Sequence, residues 1–331
     1  MPTTVAVTGA DGFIGSHLTE TLVHSGYRVR AMVQYNSFGS WGWLESLDAD
    51  TLASIEVVPG DVRDRDSVLG LMTGADMVCH LAALIAIPYS YQAPFSYLET
   101  NAGGTLNVLE AGRALGTSRI VCTSTSEVYG SARIVPISED HPLQAQSPYS
   151  ASKIAADKLA ESYHLSFDLP IITLRPFNTY GPRQSARAVI PTVISQLAAG
   201  KREIALGSLS PTRDFNFVLD TANAFEAMLV APLEDVVGRT FNAGSGFEIS
   251  VADTVKLIAE LMGTSVDIRV EDERLRPEKS EVTRLVSDSS AIQHAALWKS
   301  GHTLSEGLKT TIEWFSNPEN LRCYKTDQYN V

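Results

Sequence analysis

Short runs of β-branched and apolar residues recur through the first half of the chain. Between them lie longer stretches whose apolar positions return at helical spacing. The runs Thr4–Thr8, Arg28–Val33, Ile55–Val58, Met77–Leu81, Arg119–Thr123 and Ile171–Arg175 predict strands. The stretches Phe13–Ser25, Asp64–Met72, Tyr97–Leu115 and Tyr149–Phe167 predict helices, and in the first of them Ile14, Leu18 and Leu22 fall on one stripe. Strands alternating with helices imply βαβ crossovers. The fold class is therefore α/β, a doubly wound parallel sheet covered by helices on both faces.

After Pro176 the rhythm changes. Loops lengthen, and Pro, Arg and Asn cluster in Asn178–Arg187, Ser210–Arg213 and Glu271–Ser280. This half reads as a smaller, irregular α/β domain resting on the sheet edge, with a segment near 215–228 returning to the first domain. The tail Asn317–Val331, with Tyr324 and Tyr329, reads as surface packing.

The 331 residues suffice for one large α/β unit or two closely joined domains. Hydrophobic residues make up 44% and charged residues 19%, a globular balance. With 26 basic against 38 acidic residues the net charge is −12, which disfavours nucleic acid and anionic membranes as partners. An anionic ligand then needs a local cluster of donors. Cys79, Cys122 and Cys323 form no CxxC pair and no zinc-spaced cluster, so no metal site is expected. Cys79 and Cys122 sit in apolar runs and read as buried thiols, in keeping with a reducing compartment. The chain enters a strand at once without a basic-then-apolar leader, and its best apolar stretch, Met77–Pro88, contains His80 and is short of a membrane span. The expectation is a cytoplasmic protein.

Strand Thr4–Thr8 runs into Gly9-Ala10-Asp11-Gly12-Phe13-Ile14-Gly15. In such a turn the first glycine permits tight reversal, the second lets backbone approach a diphosphate, and the third lets helix and strand pack closely. The helix that follows offers free N–H groups and the positive end of its dipole. Three glycines at this spacing are a weak signal alone, but their place at the head of a βαβ series makes the turn a candidate Rossmann-type dinucleotide site. Such sites usually place an acid about 20 residues on, against the ribose 2′-hydroxyl. Here the second strand ends in Val33-Gln34-Tyr35-Asn36-Ser37, with no Asp, Glu or Arg. Asn36 or Ser37 can bond a hydroxyl or a 2′-phosphate, so NAD and NADP both stay open, with NAD favoured.

Tyr149 and Lys153 stand four apart at the start of a helix, one turn apart on one face, behind an N-cap and N1 proline in Ser147-Pro148. A Tyr serves as general base only if its pKa falls from near 10, which a neighbouring ammonium favours. At the end of the fifth strand, where open α/β sheets bind ligands, comes Thr123-Ser124-Thr125-Ser126-Glu127-Val128-Tyr129-Gly130. Its hydroxyls and carboxylate form a credible acid–base set, as they equally form a polar loop.

The glycine turn, Thr125-Ser126-Glu127 and the Tyr149/Lys153 pair, in this order, resemble the extended short-chain dehydrogenase/reductases, the NAD-dependent epimerase/dehydratase family. Within it, Thr-Ser-Glu resembles the dehydratase pattern; GDP-mannose dehydratases carry Ser at the position of Ser126, where dTDP-glucose dehydratases usually carry Asp. The strings Tyr35–Leu44, Ile87-Pro88-Tyr89-Ser90-Tyr91, Arg183–Pro191 and Trp314–Asn320 resemble the 4,6-dehydratases that act on a nucleotide-linked N-acetylglucosamine on the route to legionaminic-acid-type sugars.

The resemblance implies an NAD(P)-binding domain over residues 1–176 and a nucleotide-sugar domain over 177–331. It assigns the cofactor to Gly9, Gly12, Phe13, Ile14, Gly15, Asn36, Ser37, Asp61, Val62, Leu81, Ala82, Ala83, Tyr149 and Lys153, with Asp61 at the adenine amino group. It assigns the substrate to Tyr89, Ser90, Asn178, Val189, Arg213 and Arg276, with the arginines and Asn178 on the diphosphate and Arg183 and Arg187 as further candidates. His80 is expected to be a hydrogen-bonded structural residue. In the implied reaction Tyr149 takes the C4 hydroxyl proton as hydride leaves C4, Lys153 lowers the Tyr149 pKa, and Thr125 bonds O4. Glu127 then removes the C5 proton, and Ser126 or water assists departure of the C6 hydroxyl before hydride returns to C6. A 4-epimerase or a UDP-glucuronate decarboxylase shares the first step, and a cofactor-sensing binding module is the non-enzymatic alternative. The family expectation is a homodimer through Tyr97–Leu115 and Tyr149–Phe167.

Overall fold

In the first strand Val5 and Val7 point to one side and Ala6 to the other, as the two-residue period of a strand requires, and all three are fully buried. This is the pattern of a sheet covered on both faces, and the computed structural model, which describes residues 2–326 and 328, shows that sheet. Strands β1 (Thr4–Thr8), β2 (Arg28–Gln34), β3 (Ile55–Gly60), β4 (Met77–His80), β5 (Arg119–Thr123) and β6 (Ile171–Pro176) lie where the sequence predicts them, to within two residues at their ends. Beyond β7 (Asn178–Tyr180), β8 (Glu203–Leu206) and β9 (Thr212–Phe217), a strand the pattern does not reveal, β10 (Thr240–Ala243), completes the sheet. The order is β10-β6-β5-β4-β1-β2-β3, and every pairing is parallel.

The chain winds outward from β1 to β2 and β3, then crosses to β4, so the switch point lies between β1 and β4. Val5 and Val7 pack with Leu18 and Leu22 of the helix Phe13–His24 and with Phe225 and Met228 of the helix Val218–Val230. Ala6 and Val78 pack on the other face with Leu71, Val108, Leu109 and Ala160. The predicted helix from Tyr97 is wound differently: Leu98–Gly103 forms a π-helical turn before the α-helix Gly104–Leu115. That wide turn aims Asn101 at the segment after β4, where its amide takes the Leu84 N–H at 2.8 Å and donates to Leu84 O at 2.9 Å and Ser152 Oγ at 2.9 Å.

The later residues add a three-stranded sheet, β11 (Glu248–Ser250), β9 and β7, and a pair of β12 (Asp267–Val270) with β8. Their core includes Tyr180, Ile194, Phe217, Ile258 and Phe315, and Phe13 and Ile14 of the glycine turn pack against it. Tyr324 packs against Phe315 with ring centroids 4.8 Å apart; Tyr329 lies outside the described residues. Cys79 and Cys122 are buried, and burial pushes the Cys122 thiol up to about 12. Among the described residues no helix is long and apolar enough to cross a membrane.

Candidate active site

The glycine turn sits at the switch point. Gly9 has φ +69°, and a Cβ there would come 2.8 Å from the backbone N and Cα of Ala82, so only glycine lets the turn lie against the Leu81–Ala83 segment. A Cβ on Gly15 would stand 2.0 Å from Gly9 O, which is the close helix–strand contact expected of the third glycine. Gly12 is exposed and caps the helix Phe13–His24 without any side-chain bond, so a Cβ there would meet only Gly9 O, at 3.3 Å. These features fit a diphosphate approaching the helix N-terminus. Thr8 Oγ1 holds the far wall, accepting the backbone N–H groups of Leu81 and Ala82, both at 3.1 Å, and bonding His80 Nδ1 at 2.8 Å. His80 Nε2 bonds Thr105 Oγ1 at 3.1 Å, so the ring is structural, and burial lowers its pKa to about 3.

Two of the cofactor candidates are engaged within the chain. Asn36 accepts the N–H groups of Phe38 and Ser40 and donates to Gln34 O and Ser40 O, so its amide closes its own loop and has no capacity left for a ribose. Asp61 is forked onto Arg63, whose guanidinium holds its carboxyl below the usual range. Val62 is buried, and its carbonyl takes the Asn107 amide at 2.9 Å. Asp11 is the residue the sequence reading passes over: its Oδ2 accepts the Gln34 N–H at 3.0 Å, and burial raises its pKa.

At the end of β5 the chain turns through Thr125, whose Oγ1 accepts the Glu127 N–H at 3.2 Å and caps a single 3-10 turn, Ser126–Tyr129. The helix Pro148–Phe167 starts with a capping box between Ser147 and Ser150, which fixes its first turn and with it Tyr149. Tyr149 is buried, and Thr125 and Glu127 stand close enough to its phenol to act on it in opposite directions. Tyr97 packs edge-on against the ring at 6.2 Å and bonds Ala86 O. Lys153 is also buried, and its Nζ donates to Thr123 O at 2.5 Å.

Burial dominates at Tyr149 and pushes its phenol up, with Glu127 adding to the rise. The Lys153 ammonium is turned to the β5 carbonyl, and burial lowers its own pKa against the pull of Asp157.

The substrate candidates divide. Arg213, buried on β9, donates to Thr212 O at 2.9 Å and to Glu281 at 3.2 Å; burial lowers its pKa, and the Glu127 carboxylate is the strongest influence opposing that shift. Arg276 stands 3.8 Å from the same Glu281 oxygen. Glu281, absent from the sequence-derived set, thus gathers both arginines. Asn178 heads β7, and its buried side-chain oxygen has no partner. Tyr89 is exposed and Val189 half-buried. Ser90 is turned fully inward by its helix, Ile87–Gln92, and its hydroxyl donates to Ile87 O at 2.6 Å. Arg183 binds Glu20 at 3.0 Å and reaches Ser16, which ties its loop to the glycine-turn helix, whereas Arg187 is exposed.

The family model for GDP-mannose 4,6 dehydratase matches residues 6–311. The chain belongs to this family. It is 34% identical over 331 residues to a dTDP-glucose 4,6-dehydratase of Streptomyces griseus, covering 95% of this chain and 94% of that one. It is 33% identical over 318 residues to a UDP-glucose 4-epimerase of Mycolicibacterium smegmatis, with 94% and 98% covered. Among solved structures, the dTDP-glucose 4,6-dehydratase of Streptomyces venezuelae with NAD bound superposes with a TM-score of 0.86 at 27% identity, covering 98% of this chain and 99% of that one. The protein is thus an enzyme of the nucleotide-sugar dehydratase/epimerase group, and its seven-stranded sheet is of the Rossmann type those structures share.

Proposed function

We propose that the chain is a nucleotide-sugar 4,6-dehydratase that converts an NDP-N-acetylglucosamine to the 4-keto-6-deoxy sugar, with NAD as its hydride carrier. The observation that carries this reading is Glu127: a half-buried carboxylate on the same turn as Thr125, within Coulombic reach of Tyr149. An epimerase needs the Tyr149, Lys153 and Thr125 set but no second base. Residues 1–176, with the helix Val218–Val230 packed on the glycine-turn helix, would carry the cofactor, and 177–331 the nucleotide sugar.

Tyr149 accepts the proton of the C4 hydroxyl, and Thr125 donates to O4. The glycine turn Gly9–Gly15 and the Leu81–Ala83 segment would hold NAD, which would supply the acceptor for the C4 hydride and its donor to C6. Glu127 removes the C5 proton, which the new C4 ketone acidifies. The C6 hydroxyl leaves as water with a proton delivered through Ser126 or Glu127; as hydride returns to C6 a proton from solvent is delivered to C5, balanced by the one Tyr149 took from the C4 hydroxyl, so the net change is loss of one water. Arg213 and Arg276 hold the diphosphate, since a planar guanidinium bonds phosphate oxygens in pairs. A second copy would cover the apolar side chains left open on two neighbouring helical stretches, Phe95 and Leu98 on one and Leu165 and Phe167 on the other.

The second reading, a 4-epimerase, is supported by the Mycolicibacterium UDP-glucose 4-epimerase, which matches at 33% identity against 34% for the Streptomyces dehydratase. Mass spectrometry of products from UDP- and GDP-linked N-acetylglucosamine and from UDP-glucuronate decides. Loss of one water from an N-acetylhexosamine supports the dehydratase. An unchanged mass with a C4 epimer, or loss of carbon dioxide from the glucuronate, replaces it.

A further inference from the structure

The carboxyl end of β2 carries no charge: Gln34–Leu44 contains neither an acidic nor a basic residue. The glycine turn supplies what the strand lacks. Asp11, immediately before the second glycine, places Oδ2 on the backbone N–H of Gln34, the last residue of β2, at 3.0 Å. The loop beyond β2 folds back over this contact. Trp43 N–H donates to Asp11 O at 3.0 Å, and a Cβ on Gly42, at φ +57°, would come 2.6 Å from that oxygen. The carboxylate is therefore fixed where dinucleotide sites place the acid that meets the adenosine ribose. Asn36 is not a substitute, because its amide is spent within the loop. Arg63, which follows β3, is held by Asp61. Among the described residues no cation acts on the Asp11 carboxyl, which is met only by the backbone N–H groups of Gln34 and of Asp11 itself.

We propose that Asp11 selects NAD over NADP, accepting a hydrogen bond from the ribose 2′-hydroxyl through Oδ1 and repelling a 2′-phosphate. This rests on the reading that the chain holds a nicotinamide dinucleotide.

Isothermal titration of nucleotide-free protein with NAD and with NADP tests it. The wild type binds NAD the more tightly. In Asp11→Asn the amide oxygen still accepts the Gln34 N–H but the charge is gone, and the NAD/NADP preference drops by roughly tenfold to a hundredfold, as for loss of one charged hydrogen bond. Asp11→Ser gives the same direction and serves if the Asn variant does not fold. An unchanged preference in a folded variant that still binds NAD overturns the proposal and leaves Asp11 a turn-closing role, as does a wild type that prefers NADP. A wild type that binds neither nucleotide overturns the cofactor reading itself.

Discussion

Asp157 and Arg175 form an ion pair of 2.9 Å whose side chains are both almost wholly enclosed. Asp157 also accepts the Ser124 hydroxyl at 2.8 Å, and Arg175 reaches Tyr129 Oη at 2.8 Å, which donates in turn to Asn242 of β10 at 2.7 Å. The pair therefore grips both ends of the Thr125–Glu127 turn from behind. Asp157 does so from the helix that carries Tyr149 and Lys153, one turn past Lys153, and Arg175 does so from β6. Asp157→Ala leaves a buried guanidinium uncompensated and should cost about 3–5 kcal/mol, read as a lower denaturation midpoint in urea. Asp157→Asn keeps an acceptor for Ser124 and should cost less, yet it removes the strongest influence holding Lys153 protonated against burial, among neighbours that include Cys122 and His80. Its activity should then fall off at lower pH on the alkaline side than the wild type's.

Tyr149→Phe removes the phenol but keeps the ring against Tyr97, so folding and nucleotide binding should persist. Loss of a positioned general base reduces turnover by about 10²–10⁴. Appearance of reduced nicotinamide in a single turnover is the measurement, and a near-normal rate would assign proton removal to another group.

Glu127→Gln separates the two chemical steps. C4 oxidation should continue, because Tyr149 and Thr125 are untouched, while incorporation of deuterium at C5 in heavy water should fall by roughly 10²–10⁴. Exchange at the wild-type rate would remove Glu127 from the role of C5 base.

Arg213→Lys keeps the charge and loses the fork that spans Thr212 O and Glu281. Lysine cannot bond diphosphate oxygens in pairs, and the loss of one charged hydrogen bond is worth about 1.5–3 kcal/mol. Substrate affinity should weaken by roughly tenfold to a hundredfold with little change in turnover, measured as KM against kcat.

The sheet was legible because each strand is a short apolar run closed by Gly or polar residues, and β1 to β6 carry that mark. β10 does not: Thr240-Phe241-Asn242-Ala243 is four residues with a polar one inside, and only tertiary pairing to β6 makes it a strand. Of the candidate site, the residues held by local geometry were readable: the glycine turn, the Thr125 cap and the i, i+4 pair Tyr149 and Lys153. What escaped depends on closure between distant segments. Asp11 meets Gln34, Asp157 meets Arg175, and Glu281 meets Arg213, and no local spacing encodes those partners. The engagement of Ser90 and Asn36 escaped for the converse reason: a polar side chain in a loop-rich stretch reads as free, but both bond the backbone of their own segments.

Acid should destabilise the fold through two buried histidines. His17, whose Nε2 bonds Pro182 O at 3.0 Å, has its pKa lowered to about 3 by burial and by Arg183. His80 is lowered to about 3 by burial and by Lys153. An unfolded histidine titrates near 6.5. Between about pH 6.5 and 3 the unfolded chain therefore binds a proton at each site that the folded chain does not, and falling pH favours unfolding. The stabilisation is complete above that window and is lost down through it at about 1 kcal/mol per pH unit for each histidine. Thermal melts at about pH 7 and about pH 5 should show a lower Tm for the wild type in acid, and a smaller drop for His80→Gln, which keeps polar atoms for Thr8 and Thr105. An equal drop in that variant would place the acid sensitivity elsewhere, with His17→Gln as the next substitution to melt.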